Sequence, residues 1–199
     1  MAGGTKRLPR AVREQQMLDA AVEVFSRKGF HDTSMDAIAA EAKISKPMLY
    51  LYYGSKDELF RACIQREGLR FIESVVPAGN PQLTPHEQVR VALEGFLGFV
   101  DRNRRSWQVL YRQAIGQQAF ASEIENARER VIELTAKLLE SSAKHPEPGT
   151  NFDIVAAAVI GAGEAIADRV ASGRIEVAEA VDLLDDLAWR GLAGRKKAE

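Results

Sequence analysis

Residues 42–56 carry Lys43, Lys46 and Lys56 and no acidic side chain. Within the same stretch Tyr50, Tyr52 and Tyr53 fall in four residues, and Ser45 stands just before Lys46-Pro47 at what reads as a helix start. A helix N-terminus presents unpaired backbone N–H groups and a positive dipole end, so one left without acids is an anion site, with phosphate as the obvious anion. With three phenols in so short a run, at least one faces outward, where it can reach a phosphate oxygen, a base edge or a thymine methyl. The chemistry indicated is recognition of a polyanion.

Catalytic chemistry finds no support. There is no G-x-S-x-G, P-loop, H-E-x-x-H or close Cys–His pair. Gly161-Ala162-Gly163 begins like a dinucleotide fingerprint, but position 166 is Ile and no strand precedes it. Cys63 is the sole cysteine and reads as a small buried hydrophobe, while His31, His86 and His145 lie far apart. No metal, no cofactor and no enzymatic activity are expected.

The elements that position the lysines and tyrosines read as helices throughout. Leu18, Ala21, Val22 and Phe25 mark one face of a helix from about Arg10 to Lys28, with Gly29 as its expected left-handed cap. Thr33, three residues before Asp36, reads as the capping box of a short helix through Ala42. The turn Lys43-Ile44-Ser45 then leads to a second short helix, the layout of a helix-turn-helix, with Ile38, Ala39, Ala42, Ile44 and Leu49 as its packing set. Ser45 can cap that helix, and Pro47 is tolerated in its first turn. Ser55-Lys56-Asp57-Glu58 opens a helix to about Val75, and Thr84-Pro85-His86-Glu87 opens another to about Arg102. Further helices are expected around Trp107–Gln113, Ser122–Ser142, Phe152–Ala171 and Val177–Leu192, making about nine and no sheet.

With 199 residues, 46% hydrophobic and 28% charged, the chain reads as an ordinary globular protein with one ample core or two small domains. No run approaches about 18 apolar residues and the first eight residues include no apolar signal region, so neither a membrane span nor secretion is expected, and the cytoplasm is. The net charge of −1 hides a polarity. Residues 1–56 hold nine Lys/Arg against six acids, whereas the remainder holds 18 against 22. A basic front end on an acidic body results.

The segment resembles the DNA-binding domain of the TetR family of bacterial transcriptional regulators. That family's usual run is a Thr, an Ile-Ala pair, Ala-Gly-Val-Ser, a Lys, Leu-Tyr, an aromatic pair, Ser-Lys and Leu. Here stand Thr33, Ile38-Ala39, Ala42-Lys43-Ile44-Ser45, Lys46, Leu49-Tyr50, Tyr52-Tyr53, Ser55-Lys56 and Leu59. Two departures are Lys43 at the turn glycine and Pro47-Met48 where Gly and Thr are frequent. The resemblance implies an all-α fold: a three-helix helix-turn-helix domain (1–54) and a larger helical ligand-binding and dimerisation domain (55–199). It also implies that Thr33 and Ser34 hold one backbone phosphate and Lys56 another. Ser45, Lys46, Pro47, Met48, Tyr50, Leu51 and Tyr52 would enter the major groove, while Leu49 and Tyr53 face inward. For Lys6, Arg7, Arg10 and Arg13, a minor-groove arm and a solvated tail both stand open.

In the body, Phe71, Phe96, Phe99, Trp107, Tyr111 and Phe120 are candidates to line a pocket for an apolar or amphipathic effector, with ordinary core as the other reading. The small residues Ala156-Ala157-Ala158, Gly161-Ala162-Gly163 and Ala165, with Leu183, Leu184, Leu187 and Trp189, resemble the family's two-helix share of a four-helix dimer interface. The expected function is a homodimeric, ligand-responsive regulator, most simply a repressor, on a palindromic operator of double-stranded DNA. A small-molecule sensor or carrier with a degenerate helix-turn-helix is the alternative.

Overall fold

The computed structural model describes residues 9–114, 118–143 and 148–190. Among them the elements are α1 (Arg10–Lys28), α2 (Met35–Glu41), α3 (Lys46–Tyr53), α4 (Lys56–Val75), α5 (Pro85–Arg102), α6 (Arg104–Trp107), α7 (Gln118–Ser142), α8 (Phe152–Ala171) and α9 (Val177–Arg190), with no strand. A 3₁₀ turn (Val76–Gly79) follows α4, and α6 runs into a π-helical stretch (Gln108–Gln113). The fold is therefore the all-α architecture expected.

Most starts follow local chemistry. At α5 the Thr84 hydroxyl accepts from Glu87 N–H while the Glu87 carboxylate accepts from Thr84 N–H, a complete capping box. At α2 the expectation shifts by one residue: Ser34, not Thr33, is the N-cap and accepts from Ala37 N–H at 3.2 Å. Thr33 is buried and its hydroxyl donates to Gly29 O at 2.6 Å, so it has no lone role at the helix end. Gly29 ends α1 with φ 81 and ψ 166, in a region open to glycine alone and outside the left-handed helical basin expected of it. The short helix expected near Trp107 begins three residues earlier and widens to π geometry, and α7 begins at Gln118, four residues before Ser122.

The turn between α2 and α3 is a Schellman motif, with Lys43 N–H on Ala40 O (3.1 Å) and Ile44 N–H on Ala39 O (3.0 Å). That motif needs a left-handed residue after the cap, and Lys43 supplies it at φ 55, the one non-glycine with positive φ among the described residues. A left-handed conformation costs an L-residue about 1–2 kcal/mol, partly offset here because glycine would lose more freedom on folding. Lys43 is exposed, so no packing is lost by replacing it. Lys43→Gly should therefore stabilise the protein by about 0.5–1 kcal/mol in urea-induced unfolding. An unchanged midpoint would show that the freedom glycine loses on folding cancels what the left-handed turn costs Lys43.

Three cores hold the molecule. The first joins Met17, Val24 and Phe25 of α1, Ile38 of α2, Leu49 of α3, and Leu59, Phe60 and Cys63 of α4 with Val109, Ala114 and Phe120. The front unit thus shares its core with the first half of α4 and with the body. Cys63 is fully buried, and burial pushes its thiol up to about 12, which leaves it an unreactive packing group. The second core joins Leu97, Phe99, Val100, Trp107, Ala167, Val170, Val181 and Leu184, and the third Ile132, Ala136, Leu139 and Ala156. Gly95 sets the α4–α5 approach: a Cβ there would collide with Ser74 O.

Candidate nucleic-acid interface

Helix α3 has two faces. Leu49 is fully buried, and Met48, Tyr52 and Tyr53 pack half-buried against the first core. Burial pushes the Tyr53 phenol up to about 12. The outward positions are Pro47, Tyr50 (42% exposed) and Leu51 (83% exposed), related by i, i+3 and i+4. Ser45 and Lys46 flank them, both exposed. Met48 and Tyr52, expected on the groove face, instead lean on α1. Arg13 donates to Met48 Sδ at 3.4 Å, and the Arg10 guanidinium lies 5.5 Å from the Tyr52 ring centroid. Arg10 and Arg13 thus lie in the first turn of α1, beside α3; Lys6 and Arg7 lie outside the described residues.

Ser45 is the N-cap of α3 by backbone geometry, yet its hydroxyl caps nothing. Pro47 has no N–H to give, and Met48 N–H goes to Ser45 O at 3.0 Å. Lys46 Nζ sits 2.7 Å from Asp36 Oδ2, and that hydrogen bond raises the ammonium above its ordinary value, so it stays charged. The other acid near the turn, Glu41, is paired with Arg27 at 2.8 Å. Gln16 donates to Ala42 O at 2.8 Å and ties the turn to α1.

Lys56, expected at a backbone phosphate, is engaged within the fold. Its Nζ donates to the carbonyls of Phe30 (2.8 Å), His31 (3.3 Å) and Thr33 (3.0 Å) and lies 4.5 Å from the Phe30 ring centroid. An ammonium has three protons, and all three are committed to the α1–α2 turn. Thr33 is likewise engaged: it is buried and its hydroxyl donates to Gly29 O. Ser34 alone of that pair is exposed. Sequence reasoning missed the pairing of Asp36 with Lys46 and the bond from Gln16 to Ala42 O because each joins two different elements, where no helical spacing points.

Five body aromatics form a run. Phe71 meets Phe96 and Phe99 (each 5.7 Å between centroids), Phe96 meets Trp107 (5.4 Å), and Trp107 stacks on Tyr111 (4.6 Å, planes 8° apart). Phe120 is elsewhere: it packs on Phe60 in the first core, 5.3 Å away, where α7 begins against α4. The run ends in polar groups. Trp107 Nε1 donates to Asp168 at 3.2 Å, and Arg128 pairs with Glu164 at 2.8 Å. Tyr111 is pushed up to about 12 by burial and then by its bond to Glu164. Two open concavities, of about 560 and 790 Å³, are lined by other residues: Glu133, Ala136, Lys137 and Glu140 of α7 with residues 149–153, and α1 with Glu41, Ala42 and Arg105.

Of the expected dimer residues, Ala156, Gly163 and Leu184 face inward, Gly163 toward Phe96. Ile154, Val155, Leu183 and Leu187 are exposed, as are Ala158 and Ala165, and nothing lies within 4 Å of a Cβ placed on Gly161. The Trp189 side chain lies outside the described residues. Among those residues no helix is long and apolar enough to cross a membrane, and no group of three His, Cys, Asp or Glu could hold a metal.

A short two-helix head braced on α1 and carried by a larger helical body is the architecture of helix-turn-helix transcriptional regulators. Residues 17–63 match the family described as bacterial regulatory proteins, tetR family, and residues 85–191 match the tetracyclin repressor-like C-terminal domain. The chain belongs to the TetR family of transcriptional regulators. It is similar to the HTH-type transcriptional activator FasR of Mycolicibacterium smegmatis, 36% identical over 113 residues, 55% of this chain and 52% of that protein. It also resembles HbdR of Aromatoleum sp., 32% identical over 101 residues, 50% of this chain and 44% of that one. The chain thus spans about half the length of these curated relatives, or less. A TetR-like regulator from Rhodococcus sp. RHA1 superposes with a TM-score of 0.88 at 70% identity, covering 95% of this chain and all of that one. FadR of Bacillus subtilis in complex with stearoyl-CoA shares the fold, with a TM-score of 0.75 at 15% identity over 89% of this chain and 98% of that one.

Proposed function

We propose that the chain is a homodimeric, ligand-responsive repressor that acts in the cytoplasm on a palindromic operator, with residues 1–54 as its DNA-binding part and 55–199 as its ligand-binding and dimerisation part. The observation that carries this reading is the outward face of α3, where Ser45, Lys46, Pro47, Tyr50 and Leu51 are exposed together at the end of a helix-turn-helix. Ser34 and the start of α2 supply a phosphate contact beside it. Dimerisation through the outer face of α8 and α9 is supported by the exposed Ile154 and Val155 of α8 and Leu183 and Leu187 of α9, and by the open space beside Gly161. One eight-residue helix makes few base contacts, so a two-fold pair is what gives useful affinity.

An apolar or amphipathic effector is supported by the run from Phe71 to Tyr111 with its polar end at Asp168, Glu164 and Arg128. To change operator occupancy a hundredfold, it must prefer one dimer state by about 2.7 kcal/mol. Stearoyl-CoA, held by the Bacillus subtilis fold relative, is the first probe for a thermal-shift and operator-release assay.

The central test is selection of duplexes from a random library by the full chain, followed by gel shift and sedimentation. Two protomers per duplex are expected. Lys46→Ala should weaken binding about tenfold and reduce the salt slope by about one, the signature of one lost phosphate contact. Tyr50→Ala should weaken it similarly. Both residues are exposed, so the unfolding midpoint should hold. Binding indifferent to both substitutions would remove the outward face of α3 from the interface, and no selected duplex at low salt would leave the sensor-or-carrier alternative.

A further inference from the structure

We infer that the operator half-site is read mainly through thymine methyl groups, with Leu51 and Pro47 as the specificity-determining residues; this rests on the DNA-binding reading above. In the major groove, guanine is recognised by Arg or Lys, adenine by Asn or Gln, cytosine by Asp or Glu, and thymine by apolar contact with its C5 methyl. Helix α3, Lys46-Pro47-Met48-Leu49-Tyr50-Leu51-Tyr52-Tyr53, contains no Arg, Asn, Gln, Asp, Glu or His. Its one cation, Lys46, stands at the first turn with its ammonium 2.7 Å from Asp36 Oδ2.

Beyond Lys46, what the helix turns outward is apolar except for the Tyr50 hydroxyl. Pro47 has neither a polar side-chain atom nor an N–H, and Leu51 holds its isobutyl group in water at 83% exposure. Met48, Leu49, Tyr52 and Tyr53 are taken up by the first core, so Leu51 is left outside by the helix's geometry and by no shortage of core positions. A lone exposed leucine is ordinary. One that stands a single turn from Pro47 and next to Tyr50, on a helix that Lys46 begins and the exposed turn residue Lys43 precedes, forms an apolar tip on a basic segment. Duplex DNA fits both properties at once: the lysines lie toward phosphates while the tip meets methyl groups on the groove floor. The Tyr50 hydroxyl is then the one hydrogen-bonding group at the centre of this face.

The test uses duplexes selected by the full chain from a random library. Each selected thymine is replaced in turn by deoxyuridine, which removes the methyl and nothing else. Affinity should fall about fourfold at the one or two positions under Leu51 and Pro47, as expected for losing one buried methyl, and hold elsewhere. Leu51→Ala should weaken the thymine duplex by a similar factor and erase the thymine–deoxyuridine difference at its position, since the two changes remove one contact. Equal affinity for thymine and deoxyuridine at every position, or half-sites with G·C pairs fixed at the centre, would overturn the inference and leave DNA binding standing. Failure to select any duplex would overturn the DNA-binding reading and this inference with it.

Discussion

Glu67→Ala should destabilise the protein by about 3 kcal/mol, the largest effect expected of any single polar substitution here. Glu67 has no exposed surface, and both its oxygens are held: Oε1 by Arg66 Nε at 2.6 Å, Oε2 by Arg70 at 3.0 Å. The two arginines reach opposite ways. Arg66 pairs with Asp19 of α1 at 2.6 Å, while Arg70 donates to Asn103, just past α5, at 2.8 Å. Removing the carboxylate leaves the Arg66 side chain, only 12% exposed, with less compensation, whereas Arg70 at 46% exposure can rehydrate. That asymmetry sets the cost at the low end of the 3–5 kcal/mol typical of breaking a buried pair. Glu67→Gln keeps the shape and one acceptor, so about half the loss is expected. Urea unfolding at fixed protein concentration, followed by circular dichroism, measures both. Equal, small losses for the two variants would show that the buried charge is not what joins these helices.

The same network marks the limit of what the sequence alone discloses. Helix starts were legible where the partners are three residues apart, as in Thr84 and Glu87, because the capping bond closes within one turn. Lys46–Asp36, Arg66–Asp19 and Lys56 with its three carbonyls join different helices, and no periodicity encodes such partners. The helix-turn-helix itself was legible from the motif and its turn length. Which way α3 faces was only half legible: positions 47–53 are apolar or aromatic at every step, so the pattern has no polar side to orient it. Packing decides instead, drawing Met48 and Tyr52 against α1 and leaving Pro47, Tyr50 and Leu51 outside. The body aromatics were readable as a cluster, but Phe120 was not readable as an outsider, since its separation comes from where α7 begins against α4. Thr33 failed as the cap for a related reason: Gly29 O, four residues back, takes its hydroxyl.

Lys56→Ala should lower stability by about 2 kcal/mol and weaken operator binding while leaving the salt slope unchanged. The two roles that lysine can play at this position make opposite predictions. A phosphate clamp on the surface would cost little stability when removed and would reduce the salt slope by about one. A carbonyl clamp costs stability, because charge-assisted hydrogen bonds are worth about 1.5–3 kcal/mol and the accepting carbonyls cannot all be rehydrated. Phe30 O and Thr33 O are reached in part-buried surroundings, whereas His31 O is on the exposed side and water can replace the ammonium there. DNA affinity falls indirectly: the turn held by Lys56 leads straight into Ser34 and α2, and α2 sets the platform on which α3 rests. Lys56→Arg should rescue poorly, since three carbonyls converging on one point suit a compact ammonium and not a planar fork. Denaturant unfolding and binding isotherms at several salt concentrations, run on the same three proteins, separate the cases. A reduced salt slope with unchanged stability would return Lys56 to the phosphate backbone.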